Sequence, residues 1–386
     1  MLTFDNTEIA FSGKTKGELK WAHQLFKMLG SNTFIAFGKW ATNLSLKLHL
    51  PVFGIIKKTI FKQFCGGEAI EECSATITKL DNYKIGTILD YSVEAKENTS
   101  ESSFEESCQE LLKVISHSKN NEAIPFAVFK ISGICSLEFL ENYSKTKEKT
   151  IEYTNAFERV DRLCKAAFEA NTPIFIDAEE SWVQDAIDEM VEDMMVKYNQ
   201  EKPVVYNTLQ MYRWDRLDYL KKAHQVAKEK NYWLGVKIVR GAYMEKERER
   251  AKDMGYKSPI QADKNSSDKD YNLALEYCVE NHQEIAICAG THNEESSMFL
   301  TQLLDKYGIE KNNPNFYFAQ LLGMSDHISF NLSNNGYKVA KYVPYGPVKE
   351  VIPYLIRRAE ENTSVAGQTG RELSLITKEI KRRKLS

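Results

Sequence analysis

The sequence predicts a (β/α)8 barrel preceded by an additional helical region. Eight strand-like runs, helical periodicity between them, and short connections predict it. The runs are 84–91, 126–131, 173–176, 204–209, 234–239, 284–289, 316–321 and 338–343. Several are almost wholly apolar (FAVF, IFI, IAIC), as strands buried on both faces must be. Between them, 151–170 places Tyr153, Phe157, Val160, Cys164 and Phe168 at three- and four-residue steps. The stretches 181–198 and 271–280 repeat the pattern. Strand and helix alternating through short loops means parallel strands joined by right-handed crossovers, and eight such units suit a barrel better than an open sheet. No G-x-G-x-x-G follows an early strand. Ser12-Gly-Lys-Thr15 imitates the end of a phosphate loop, but Glu8 stands where that loop needs glycine.

Before the first strand, residues 1–80 read as a helical region, interrupted at Gly66-Gly67, and 81–386 as the barrel domain. The polar stretch 94–107 fits either a boundary or a loop within one domain. The N-terminus carries no basic segment followed by an apolar run, so a signal peptide is not expected. The most apolar stretch, 33–64, is broken by Lys39, Lys47, His49, Lys57, Lys58 and Lys62, too charged to span a bilayer. It fits either helices packed on the main domain or a surface-lying membrane segment.

Composition narrows the function classes. The chain has 386 residues, with 51 Lys plus Arg against 54 Asp plus Glu, a net charge of −3. That balance argues against a general nucleic-acid binder, which needs a dense basic surface. Seven cysteines, odd in number and without a Cys-x-x-Cys pair, read as reduced thiols in a reducing compartment. His-Glu-x-x-His is absent and no histidine pair stands at ligand spacing, so no metal is expected.

In a barrel, polar residues at the strands' carboxyl ends read as the active site. Lys130, Asp177, Gln210, Lys237, Arg240-Gly-Ala-Tyr243, Thr291-His-Asn293, Gln320-Leu321 and 342–346 take that place, strand after strand. Singly, each reads equally well as a cap or loop contact; together they point to a large polar ligand. After the last strand, Pro353 suits the first turn of a helix. On that helix Tyr354, Arg357, Arg358 and Glu361 share a face. Paired guanidiniums form a bidentate fork for a carboxylate. The competing reading is a solvated face on which Glu361 pairs with an arginine.

With these residues in view, the chain resembles the proline dehydrogenase family, flavin enzymes that oxidise L-proline. The resemblance rests on Phe129-Lys-Ile-Ser132, Ile176-Asp-Ala-Glu-Glu180, Gln210-Met-Tyr212, Val236-Lys-Ile-Val-Arg-Gly-Ala-Tyr243, Gly290-Thr-His-Asn293, Leu322-Gly-Met324, Tyr342-Val-Pro-Tyr-Gly-Pro347 and Tyr354-Leu-Ile-Arg-Arg-Ala-Glu-Glu-Asn362, in the family's order. It implies a distorted (β/α)8 TIM-type barrel holding FAD non-covalently. Asp177 and Lys237 would be the catalytic polar groups, Lys237 near flavin N5 where many members carry arginine. Lys130, Arg357 and Arg358, with Glu361 on their helix face, would bind the substrate carboxylate, while Leu321, Tyr342 and Tyr354 wall the pyrrolidine ring. Ala178, Gln210, Arg240, Gly241, Ala242, Thr291 and His292 would contact the flavin.

The implied reaction is hydride transfer from proline to flavin N5, giving 1-pyrroline-5-carboxylate, the first step of proline catabolism to glutamate. The implied electron acceptor is a quinone. The location is then cytoplasmic, or peripheral on an inner membrane, mitochondrial in a eukaryote. The basic stretch 33–64 and the tail 378–384 leave a peripheral membrane contact open, although cations ending a helix also complement its dipole. The rivals are a hydroxyproline dehydrogenase, which the aromatic Tyr342 disfavours, and a flavin-free Schiff-base aldolase using Lys130 or Lys237. A chain of this length implies a monofunctional enzyme.

Overall fold

The computed structural model describes residues 2–30, 53–92, 100–364 and 368–385, apart from the side chains of 55, 359–364, 368 and 369. Eight strands form a closed barrel in chain order. They are β1 (Ile85–Tyr91), β2 (Phe126–Lys130), β3 (Ile174–Asp177), β4 (Val205–Gln210), β5 (Leu234–Val239), β6 (Ile285–Gly290), β7 (Phe316–Leu321) and β8 (Val339–Tyr345). The pairings of β2 through β7, and of β1 with β8, are parallel. Each strand lies within two residues of its expected run, so the barrel expectation is met.

The strand ends differ for physical reasons. β3, β4 and β6 each run one residue further, into Asp177, Gln210 and Gly290. β8 continues through Pro344, which lacks the donor a strand normally uses. Its carbonyl instead accepts from Gly66 N at 2.9 Å, and Gly67 bridges Tyr345. The glycine pair expected to break a helix is also a short edge on the last strand.

Helices Ile151–Ala170 and Ser181–Tyr198 have the expected bounds. The helix expected over 271–280 begins earlier, at Lys264, where Asp263 accepts from Ser266 N at 2.7 Å. Its first turn is all polar and carries no apolar period. The helix expected to begin at Pro353 begins at Val348 and contains that proline. Pro347 opens it, its carbonyl accepting from Glu350 N and Val351 N. The exposed Pro353 has no N–H to give, so the earlier carbonyl of Lys349 lacks its i+4 helical donor.

Contacts divide the chain into two compact units: residues 94–319, and 1–93 together with 320–386. In the first, an aromatic layer fills the amino-terminal ends of β2, β3, β4 and β7. Phe126 stacks on Phe175 at 4.3 Å and meets Tyr206 and Tyr317 edge-on at 5.7 and 4.8 Å. Such a layer contributes dispersion and area burial while leaving the opposite strand ends to polar residues.

Among the described residues of the second unit, apolar side chains gather in clusters. Phe11, Leu19 and Phe26 pack with Leu375 and Ile376 of the helix Gln368–Arg382. Leu25, Leu29, Phe61 and Phe64 pack with Val348, Val351, Tyr354 and Leu355. All seven cysteines are buried free thiols. Among the described residues no helix is long and apolar enough to cross a membrane. The stretch 33–64 lies largely outside the described residues. Within 378–384, Arg383 donates to the carbonyls of Lys14 and Phe11 at 2.7 Å, and Lys378 to that of Asp5 at 3.0 Å.

Candidate active site

In the unit 94–319, polar residues stand at the carboxyl ends of β2 to β6. Parallel register sets Lys130 beside Asp177 and Lys237 beside Thr208. Lys237 is 4% exposed, and its ammonium forms an ion pair with Asp177, over the Phe175 ring at 5.4 Å. A cation so desolvated needs its counter-charge, because an unpaired charge there would cost several kcal/mol. Thr208 Oγ1 donates to Ile176 O at 2.8 Å, bracing the strand that presents Asp177.

Gln210 is 2% exposed and its Oε1 has no hydrogen-bond partner among the described residues. Burying an acceptor unpaired costs about 1–3 kcal/mol, so a donor from a bound molecule suits it. Ala178 and Thr291 are buried, Lys130 and His292 half-buried, and Gly241 and Ala242 exposed. Gly241 has φ +131°, and the Tyr212 ring lies where a Cβ would project. The chain therefore turns there with its backbone bare. Exposed backbone, an orphaned acceptor and a buried cation fit a large ligand such as a flavin nucleotide.

Arg240 is more constrained than a free anion ligand. Its guanidinium pairs with Asp268 at 2.6 Å, donates to Thr291 Oγ1 at 2.7 Å and Ser296 Oγ at 2.9 Å, and lies over Tyr271 at 4.3 Å. It locks the loops after β5 and β6 to each other.

Sequence reasoning assigned no role to Glu179. This side chain is 3% exposed. It accepts from Ser132 N at 2.9 Å and from the Ser132 hydroxyl, fastening β3 to the turn that follows Lys130. Burial pushes its carboxyl up to about 7, against the opposing pull of Lys130. The acidic pair in Ile176-Asp-Ala-Glu-Glu180 was the available signal.

The other sequence-derived residues belong to the second unit. Leu321 ends β7, half-buried, and Tyr342 lies on β8 at 8% exposure. On the helix Val348–Ser364, Tyr354 and Arg358 are buried and Arg357 is half-buried. The Arg358 guanidinium sits 5.0 Å from the Tyr354 ring centre, a cation–π contact. The face is thus not freely solvated. The Glu361 side chain lies outside the described residues.

Fold and site define a (β/α)8 barrel whose strand ends carry buried charge and unpaired polar atoms. The family model described as proline dehydrogenase matches residues 73–371, and the chain belongs to the proline dehydrogenase family. It is 33% identical to proline dehydrogenase 1, mitochondrial, of Dictyostelium discoideum, over 98% of this chain and 74% of that protein. Against the human protein of the same name it is 39% identical, over 62% of this chain and 40% of the other. The barrel of proline utilization A from Bdellovibrio bacteriovorus superposes with a TM-score of 0.74 at 20% identity, over 84% of this chain and 36% of that one. The chain spans well under half of the human protein and of that structure.

Proposed function

We propose that this chain oxidises L-proline to 1-pyrroline-5-carboxylate with non-covalently bound FAD and a quinone as final acceptor, the first step of proline catabolism to glutamate. The buried Lys237–Asp177 pair at the carboxyl ends of β5 and β3 supports this reading, in a chain of this family. FAD, when bound, supplies the two-electron acceptor for the hydride. The residues suited to hold it are Ala178, Gln210, Arg240, Gly241, Ala242, Thr291 and His292. Gln210 Oε1 offers an acceptor, and Gly241 a backbone without a side chain in the way.

The chain's own residues bind and orient. Lys130, Arg357 and Arg358 take the proline carboxylate, each charge-assisted hydrogen bond contributing about 1.5–3 kcal/mol. Leu321, Tyr342 and Tyr354 enclose the ring and exclude water. Fixing both ends of so small a substrate sets C5 in reacting position, which makes a bimolecular step effectively unimolecular. Lys237, paired with Asp177, stabilises negative charge developing nearby. The C5–H bond breaks with its electron pair leaving as hydride, the amine loses its proton, and C5=N forms. Electrons pass on to the quinone, placing the enzyme peripherally at the membrane that holds it.

The purified protein should show flavin absorbance that L-proline bleaches under anaerobic conditions. Arg357→Met and Arg358→Met should each raise KM for proline by about tenfold or more with flavin content unchanged. Absorbance that proline leaves untouched would rule out the substrate. Normal proline binding by both mutants would move the carboxylate clamp elsewhere.

A further inference from the structure

We propose that Glu68 is a positioning residue for the substrate carboxylate: it fixes the first turn of the helix that presents Arg357 and Arg358. This rests on the reading of those arginines as the carboxylate clamp. Every contact it uses lies within the unit formed by 1–93 and 320–386.

The Glu68 carboxylate faces two ways. One oxygen accepts from Val348 N, the first amide of the helix Val348–Ser364, at 3.2 Å. The other takes the Lys57 ammonium. A carboxylate there satisfies an orphan donor and complements the helix dipole. The Lys57 hydrogen bond and the Val348 amide hold the Glu68 carboxyl below its ordinary range, so it stays ionised at neutral pH. Glu72 accepts from Glu68 N at 3.1 Å, fixing the backbone behind the cap.

The segment that carries Glu68 is fastened to both last strand ends. At β8, Gly66 N bonds Pro344 O at 2.9 Å and Gly346 N bonds Gly67 O at 3.1 Å. At β7, Gln63 Nε2 donates to Gly323 O at 2.9 Å, two residues beyond Leu321. Phe61, Phe64 and Cys65 pack against Val348, Val351 and Tyr354. The residues 57–68 thus form a strap over the exits of both strands, and Glu68 is its polar contact with the helix start.

Leverage makes this matter. Arg357 and Arg358 lie nine and ten residues beyond Val348, about 15 Å along the helix axis. A tilt of about 5° at the first turn would shift the guanidiniums by about 1 Å, enough to degrade a bidentate geometry. The cap therefore acts on proline binding without touching it.

The test compares holoenzyme kinetics of wild type, Glu68→Ala, Glu68→Gln and Lys57→Met. Glu68→Ala should raise KM for proline about fivefold, with kcat within about twofold of wild type and the flavin-to-protein ratio unchanged. Glu68→Gln keeps an acceptor for Val348 N and should fall between the two. Lys57→Met should shift KM less than Glu68→Ala. Amide hydrogen exchange over 348–358, measured without substrate, should quicken in Glu68→Ala. Unchanged KM in both Glu68 variants, or kcat, KM and flavin content failing together, overturns the proposal. Should Glu68→Ala not fold, Glu68→Gln decides by the same criteria. A wild type that proline does not reduce defeats the functional reading instead, and the exchange result still reports whether Glu68 holds the helix.

Discussion

Glu179 shows what a single carboxylate can reveal. Burial pushes its carboxyl from the ordinary 4.5 to about 7, Lys130 pulling the other way. A carboxyl raised in the folded state makes folding less favourable once it must ionise. Its contribution is therefore intact below pH 4.5 and is lost as pH rises toward 7. The loss is on the order of 3 kcal/mol if the whole shift is expressed. Glu179→Gln mimics the protonated form, so its stability relative to wild type should climb between pH 4.5 and 7. Urea unfolding of both proteins at several pH values measures this, and a constant difference would refute it. Glu179 escaped the sequence reading because an acidic pair after a strand looks like an ordinary start to a helix. Asp177, Gln210 and Lys237 were legible because the strands could be placed by their composition: Asp177 and Gln210 end theirs, and Lys237 interrupts an apolar one near its end. What no pattern could show is that Arg240 would be held by Asp268, Thr291 and Ser296, partners that meet only in three dimensions.

At the scale of elements, barrel strands and the helices between them could be read because burial on both faces imposes apolar runs and caps bound them. The helix of the arginines was read late, at Pro353 rather than Val348, since a proline is the stronger local sign. The strap 57–68 was legible as helix broken at Gly66-Gly67, but its attachments were not: Glu68 and Gln63 meet Val348 and Gly323, which are distant in sequence. Gly323 marks where the strap meets the β7 exit, with φ +77° and the Gln63 carbonyl lying where a Cβ would project. Gly323→Ala should destabilise by about 2 kcal/mol, from left-handed backbone strain and a forced retreat of Gln63. Gly17, exposed in the helix Lys16–Leu29 with open space around it, is the control. There alanine should gain about 0.5–1 kcal/mol by restricting the unfolded chain. Thermal unfolding of the two variants should move in opposite directions; a drop in both or neither would discard the close-approach argument.

Across the molecule, one unit is continuous in sequence and the other is assembled from both ends of the chain. The assembled unit cannot close until 320–386 is available, which sets its contacts at long sequence separation. A buried ionic cluster joins its two segments. Asp326 pairs with Lys341 of β8 at 2.8 Å and with Lys14 at 3.0 Å. Lys341 also donates to Met324 O at 2.6 Å. Glu372, on the helix Gln368–Arg382, accepts from Ser325 N at 3.0 Å and lies 3.8 Å from His327. Burial alone would raise the Asp326 carboxyl, but the Lys14 and Lys341 ammoniums outweigh it and hold it well below the usual carboxylate range. A depressed carboxyl contributes stability that is present above the unfolded value, near 3.8, and lost as pH falls through the folded one. Asp326→Asn keeps the shape but leaves two desolvated ammoniums without this counter-charge. It should cost about 3–5 kcal/mol at pH 7, and the gap to wild type should narrow as the solution is acidified below pH 4. Urea unfolding at pH 7 and at successively lower pH measures both. Equal stabilities at pH 7 would mean that the packing of Phe11, Leu19 and Phe26 on Leu375 and Ile376, rather than charge, holds the chain's two ends together.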